Sequence, residues 1–223
     1  MTMRVVIIGG GSLDTETAIR VIKKSKAYII AADMGLDYCR LLHIKPDLAV
    51  GDFDSVSSGT KDLLTDFERH GIKIIKLNPV KDDTDLEAAL DLAMNMGKGG
   101  IDILGATGTR IDHILGNLSL LKRARVKDKE ATIYDSKNRI RLISGGGSLT
   151  IKKNEQYGKY VSLFPLFGEC HGVSATGVYY PLDKADIGGG DGYYTLTISN
   201  EITDEEAHFS LDEGDMLIIE SRD

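Results

Sequence analysis

Four short stretches hold the residues best equipped for chemistry. "GDFDSV" (51–56) sets Asp52 and Asp54 two positions apart, and "KDDTD" (81–85) brings Lys81, Asp82, Asp83 and Asp85 together. "GATGTRIDH" (105–113) supplies Arg110, Asp112 and His113, with Asn117 one turn on, and "AADMG" (31–35) supplies Asp33. Carboxylates two apart in a loop can share a cation, act as nucleophile and acid partner, or simply be solvated. Crowding several of them is electrostatically unfavourable unless a cation neutralises them, which favours a hard divalent ion such as Mg²⁺ with oxygen ligands. Lys81 and Arg110 add positive charge for phosphate oxygens, and the glycines of "GATG" let backbone amides approach an anion at a helix N-terminus. A nucleoside triphosphate with Mg²⁺ fits this inventory.

The elements that must position these residues follow from the pattern. Up to about Ser136, β-branched runs alternate with amphipathic stretches: "RVVIIG" (4–9), "AYIIAA" (27–32), "DLAVG" (47–51), "IKIIKL" (72–77), "IDILG" (101–105) and "ATIYD" (131–135). Strands separated by helix-length segments predict an open parallel sheet with flanking helices, a Rossmann-like α/β domain over residues 1–136. Ligands of such sheets bind outside the carboxyl ends of the strands, where all four polar stretches would open.

Thr84 and Glu87 form a capping box, Gly97 offers a helix stop, and Leu86, Ala89, Leu90, Ala93 and Met94 share one face. The next helix carries a similar face in Ile111, Ile114, Leu115, Leu118 and Leu121, with Arg110, His113 and Asn117 on a stripe opposite. After Ser136 the helical period vanishes. Short strands such as "NRIRLIS" (138–144), "SLTIKK" (148–153), "KYVSLFPLF" (159–167), "GYYTLTIS" (192–199) and "DMLIIES" (215–221) predict an all-β sandwich over 137–223. The glycine runs 145–147 and 188–190 read as hairpin turns.

Each polar stretch alone has an ordinary reading: Asp85 suits a first helical turn, and Asp82 and Asp83 suit a solvated turn. Their coincidence on one sheet edge is less ordinary. Composition narrows the partners: 27 Lys plus Arg against 34 Asp plus Glu leave a net charge of -7, with no basic run for nucleic acid or anionic membranes. No apolar stretch is long enough to span a bilayer, no signal-peptide pattern opens the chain, and Cys39 and Cys170 suggest neither disulfide nor zinc, so a cytoplasmic location is expected. "GGGSLD" (9–14) has Asp14 where a dinucleotide fingerprint needs its third glycine, and neither a P-loop nor a G-x-S-x-G elbow occurs.

"GDFDSV", "KDDTDLEAAL" and "GATGTRIDHILGNL" together resemble the thiamine pyrophosphokinase family, and "AADMG", "SLFPL" (162–166), "GVYYPL" (177–182) and "ISNEI" (198–202) extend the resemblance over nearly the whole chain. It implies a homodimer with intersubunit active sites, a thiamine-binding and dimerisation role for the sandwich, and Mg²⁺-dependent transfer of pyrophosphate from ATP to the thiamine hydroxyl, releasing AMP. By that resemblance Asp52, Asp54, Asp82 and Asp85 hold metal and phosphates, with Asp54, Asp85 and Asp112 assigned to catalysis. Asp33, Lys81, Arg110, Asp112, His113 and Asn117 fall at the ATP site, and Ser199 and Asn200 at the thiamine site.

Two departures stand out. Thr109 replaces the second of two glycines before the arginine, and the chain has no Trp to stack on thiamine, leaving that task to Tyr or another group. Three alternatives remain at this stage. A pyrophosphokinase acting on a pterin alcohol would reuse the same machinery, and a non-catalytic nucleotide sensor would not need the full acidic set. A haloacid-dehalogenase-like phosphatase would use Asp52 as nucleophile, but its motif belongs after the first strand and not the third.

Overall fold

The computed structural model describes residues 3–24, 26–78, 83–96, 99–189 and 197–223. Lys81, Asp82, Gly97 and most of the strand expected at 192–199 lie outside the described residues. The chain divides into two compact units, Met1–Ser136 and Lys137–Asp223.

The first unit alternates strand and helix throughout: β1 (Arg4–Ile8), α1 (Thr15–Lys23), β2 (Ala27–Ala32), α2 (Gly35–Leu41), β3 (Leu48–Gly51), α3 (Ser58–Arg69), β4 (Lys73–Lys76), α4 (Asp85–Met94), β5 (Ile101–Leu104), α5 (Ile111–Val126) and β6 (Ala131–Tyr134). The strands are parallel in the order β6-β5-β1-β2-β3-β4. β3 and β5 are buried along their whole length, as a sheet covered on both faces requires. In α4 the Thr84 hydroxyl accepts from the Glu87 amide, and all five expected apolar positions are buried.

Strand order reverses between β1 and β5, the usual place for a ligand crevice. Here the two loops at that point are laced together. Gly11 N donates to Gly105 O and Ser12 N to Thr107 O, and a Cβ on Gly11 would sit 2.2 Å from Thr107 O. Glycine is needed for this close approach, and it leaves the neighbouring β2 and β3 ends to carry the acidic residues.

One helix departs from expectation. Ile111 and Leu115 of α5 are exposed, at 70% and 58%, while the buried positions are Leu120, Leu121 and Ala124. At 100° per residue the buried side runs back through half-buried Asn117, and Arg110 and His113 at the N-terminal end of the same stripe are exposed. Asn117 shows the cause, because its Nδ2 donates to Ala106 O and spends the inward position on anchoring the β5–α5 loop.

The second unit contains β7 (Asn138–Ser144), β8 (Ser148–Lys152), β9 (Tyr160–Pro165), β10 (Cys170–Thr176), β11 (Leu182–Ile187), β12 (Asn200–Glu201), β13 (Glu206–Ser210) and β14 (Asp215–Ser221). β12-β9-β14-β7 and β11-β10-β13-β8 are antiparallel sets. Their shared core includes Ile143, Leu163, Val173, Phe209, Met216 and Ile218, which makes the unit a β-sandwich. Gly146, at φ 72°, turns the chain between β7 and β8, as its glycine run suggested. Among the described residues no helix is long and apolar enough to cross a membrane.

Candidate active site

Asp33 follows β2 in the left-handed region, at φ 44°, a conformation that Asp tolerates better than most residues. Its amide donates to Val50 O, drawing it against the end of β3. Gly51 makes that approach possible, since a Cβ there would lie 3.0 Å from the Asp33 Cα. Two residues on, Phe53 also has a positive φ, 59°, which is strained for a bulky residue and is held by burying its ring. The flanking carboxylates of Asp52 and Asp54 thereby reach one place. Ligand oxygens of Asp33, Asp52 and Asp54 all lie within 4.8 Å of one another.

The loop is pinned on several sides. Asp54 N donates to Asp52 Oδ1 at 3.1 Å, Ser55 Oγ donates to Asp54 Oδ1 at 2.7 Å, and Lys61 Nζ donates to Asp54 O at 2.8 Å. The Ser55 hydroxyl is the main reason that the Asp54 carboxyl is held below its ordinary range. Asp33 is pushed the other way, to about 6, first by desolvation and then by the negative charge of Asp85, with Asp52 and Asp54 adding to it. Its Oδ1 is buried and accepts no hydrogen bond among the described residues. Three converging carboxylates, one with an orphaned buried oxygen, form a donor set suited to a hard divalent cation. A cation there would relieve the repulsion that raises Asp33. Asp85 stands in the first turn of α4, close enough for its charge to act on Asp33.

The β5–α5 loop supplies the opposite charge. Arg110 grips Asp112 through both nitrogens, Nε to Oδ1 at 3.2 Å and Nη2 to Oδ2 at 2.6 Å, on an exposed surface. That grip is the leading reason the Asp112 carboxyl falls to about 2. Arg110 is also the N-cap of α5 and offers no side-chain acceptor to the first-turn amides, while the Asp112 carboxylate within that turn accepts from the His113 amide. His113 is exposed in that turn.

Similarity to known proteins follows the same two-part division. Residues 19–134 match the family described as "Thiamin pyrophosphokinase, catalytic domain", and residues 148–215 match "Thiamin pyrophosphokinase, vitamin B1 binding domain". The thiamine pyrophosphokinase of Bacillus subtilis (strain 168) is 34% identical over 180 residues, which is 81% of this chain and 80% of that protein. The chain belongs to the thiamine pyrophosphokinase family.

Solved structures agree. A thiamine pyrophosphokinase from Bacillus subtilis aligns with a TM-score of 0.86 at 29% identity, covering 99% of each chain. The enzyme from Geobacillus thermodenitrificans aligns at 0.83 and 29%, covering 99% of this chain and 98% of that one. Family membership favours a thiamine-directed pyrophosphokinase over the pterin-directed transferase, the phosphatase and the non-catalytic sensor.

Within the family's second region, Asn200 is buried and its amide is committed to the protein. Oδ1 accepts from Tyr180 N and Glu201 N, and Nδ2 donates to Tyr180 O at 2.8 Å. Ser199 is exposed at φ 60°, with its amide donating to Ser162 Oγ. The segment that Asn200 holds presents Tyr179 and Tyr180, both exposed, with ring centroids 4.8 Å apart in an edge-to-face pair. Neither tyrosine was singled out from the sequence, although the doublet in "GVYYPL" was the available signal. Nor was Asp33 expected among the metal ligands, because its approach to Asp52 depends on the Gly51 contact.

Proposed function

We propose that this enzyme transfers the pyrophosphoryl group of ATP to the hydroxyl of thiamine, giving thiamine diphosphate and AMP. The observation that carries the phosphate half is the convergence of Asp33, Asp52 and Asp54 around a buried, unpartnered oxygen. These three would hold Mg²⁺, with Asp85 beside them and Asp82 assigned there by family resemblance. The ion, when bound, supplies charge neutralisation at the phosphate oxygens.

The chain's own groups do the rest. Arg110, aimed by Asp112, offers its remaining N–H groups to phosphate, and the first-turn amides of α5 with Lys81 and His113 add donors. Asn117 keeps the loop on its anchor at Ala106. The thiamine oxygen forms a bond to the β-phosphorus and gives up its proton to solvent, the bond from that phosphorus to the bridging oxygen breaks, and AMP leaves with that oxygen. A carboxyl at about 2 is too weak a base to take the hydroxyl proton at neutral pH, so Asp112 serves to orient Arg110. For the acceptor, exposed Tyr179 and Tyr180 offer flat apolar surface to an aromatic cation, with Asn200 holding their segment and Ser199 preceding Asn200 in the chain.

Family resemblance favours a homodimer, and the exposed Ile111 and Leu115 on α5 are apolar surface that an assembly would cover. Two free buried thiols, Cys39 and Cys170, agree with a reducing cytoplasm. The test is to incubate the protein with ATP, Mg²⁺ and thiamine and to identify both products. AMP and thiamine diphosphate in equal amounts are expected, with loss of turnover in Asp54→Asn and Asp85→Asn. ADP or free phosphate without AMP would refute the reaction, and AMP formed only with a pterin alcohol would refute the acceptor.

A further inference from the structure

The two flanks of the acidic cluster are joined by a clasp that neither flank's sequence announces. Asp37 lies in the first turn of α2, four residues after Asp33, and Ser57 is the N-cap of α3, three residues after Asp54. A serine at an N-cap ordinarily accepts from an amide of its own helix. Ser57 makes no such bond. Its hydroxyl instead donates to Asp37 Oδ1 at 2.6 Å, and its amide donates to Asp37 Oδ2 at 3.0 Å. The Thr60 hydroxyl also donates to Asp37 Oδ1, and Thr60 is wholly buried. Arg40, from the same helix as Asp37, donates through Nε to Thr60 Oγ1 at 3.1 Å.

One carboxylate of α2 thus takes three hydrogen bonds from the start of α3, and a second residue of α2 returns one. Charge-assisted bonds of this kind are short and directional, and a network of them allows little play. The clasp spans the chain segments that carry Asp33 on one side and Asp52 and Asp54 on the other. Any slippage between α2 and α3 would be passed to the cluster through short connections, Met34 on one side and Ser55 and Val56 on the other.

We propose that Asp37 is a positioning residue that sets the spacing of the Asp33 and Asp54 carboxylates and thereby the affinity of the site for a divalent cation. This rests on the reading of the cluster as a metal site. Groups that orient metal ligands without touching the ion typically change affinity by about tenfold or more when removed.

The experiment uses the full chain and Mn²⁺ as a spectroscopic probe, with free Mn²⁺ followed by electron paramagnetic resonance in the absence of nucleotide. Asp37→Ala should weaken Mn²⁺ binding about tenfold and raise the Mg²⁺ concentration for half-maximal activity in parallel, with the KM for thiamine within about twofold of wild type. Ser57→Ala, which removes the hydroxyl's contacts with Asp37 and Thr60 and keeps the backbone donor, should weaken it by about threefold, and adding it to Asp37→Ala should cost little further. Mn²⁺ affinity within twofold of wild type in a folded Asp37→Ala protein would overturn the proposal. If Asp37→Ala does not fold, Ser57→Ala and Asp37→Asn decide it by the same criterion. Wild type that binds no Mn²⁺ would overturn the metal reading itself, a failure distinct from that of the clasp.

Discussion

Replacing Asp33 by Asn should make the metal-free enzyme more stable while removing its response to Mg²⁺. A carboxyl held at about 6 rather than 3.8 binds more protons folded than unfolded across that interval. Its contribution is therefore fully present below pH 3.8 and is lost as pH rises through 6. Were the group shielded from water, the loss at neutral pH would reach about 3 kcal/mol. Asp33 is half-buried, and solvent screening reduces the expected gain from Asn to ~1 kcal/mol above pH 7.

Asn also tolerates the positive φ at this position, so the backbone should not object. All five α-helices among the described residues lie in the first unit, which lets circular dichroism at 222 nm follow that unit in urea. With EDTA, the difference between Asn and wild type should grow from near zero at pH 4 to ~1 kcal/mol at pH 7.5. Adding Mg²⁺ should raise the wild-type midpoint and leave the variant where it was. A variant no more stable than wild type at pH 7.5, or one stabilised equally by Mg²⁺, would refute the account of the cluster.

Other substitutions test the remaining geometry. Arg110→Lys keeps the charge but loses the two-nitrogen grip on Asp112, and should raise the KM for ATP by about tenfold in steady-state kinetics. Gly51→Ala would press a methyl on the Asp33 backbone, and should lower kcat by about tenfold while the fold, followed by circular dichroism, survives. Asn200→Ala would strand the Tyr180 amide and carbonyl, costing about 2 kcal/mol in thermal unfolding. It should also raise the KM for thiamine but not that for ATP.

The parts of this fold that read directly from sequence are those decided locally. β1, β2 and β3 announce themselves as β-branched runs because both of their faces are covered, and α4 because its cap and apolar period agree. β10, "CHGVSAT", and β11, "LDKADI", do not read as strands because their residues are small or charged and gain their burial only from the opposite sheet. The inward side of α5 is not legible from its five apolar residues at helical spacing, because the bond from Asn117 to Ala106 that turns the helix is a tertiary contact. The link between Asp37 and Ser57 crosses twenty residues and could not be seen from either end.

What the structure adds most is a sorting of acidic residues that look alike in the sequence. Asp112 has Arg110 in its grip and is ionised far below neutrality, so its charge is already answered by the protein. Asp37 is answered by two hydroxyls and an amide. Asp33, pressed against Asp52 and Asp54 and within the field of Asp85, is raised toward neutrality and keeps one buried oxygen with no partner among the described residues. A carboxylate with a buried, unpaired oxygen beside other carboxylates is a local instability, and natural sequences retain such instabilities where a bound group resolves them. Among the described residues, the carboxylates that the protein satisfies by itself hold the frame, and the orphaned oxygen of Asp33 is the feature on which the proposed cation site rests.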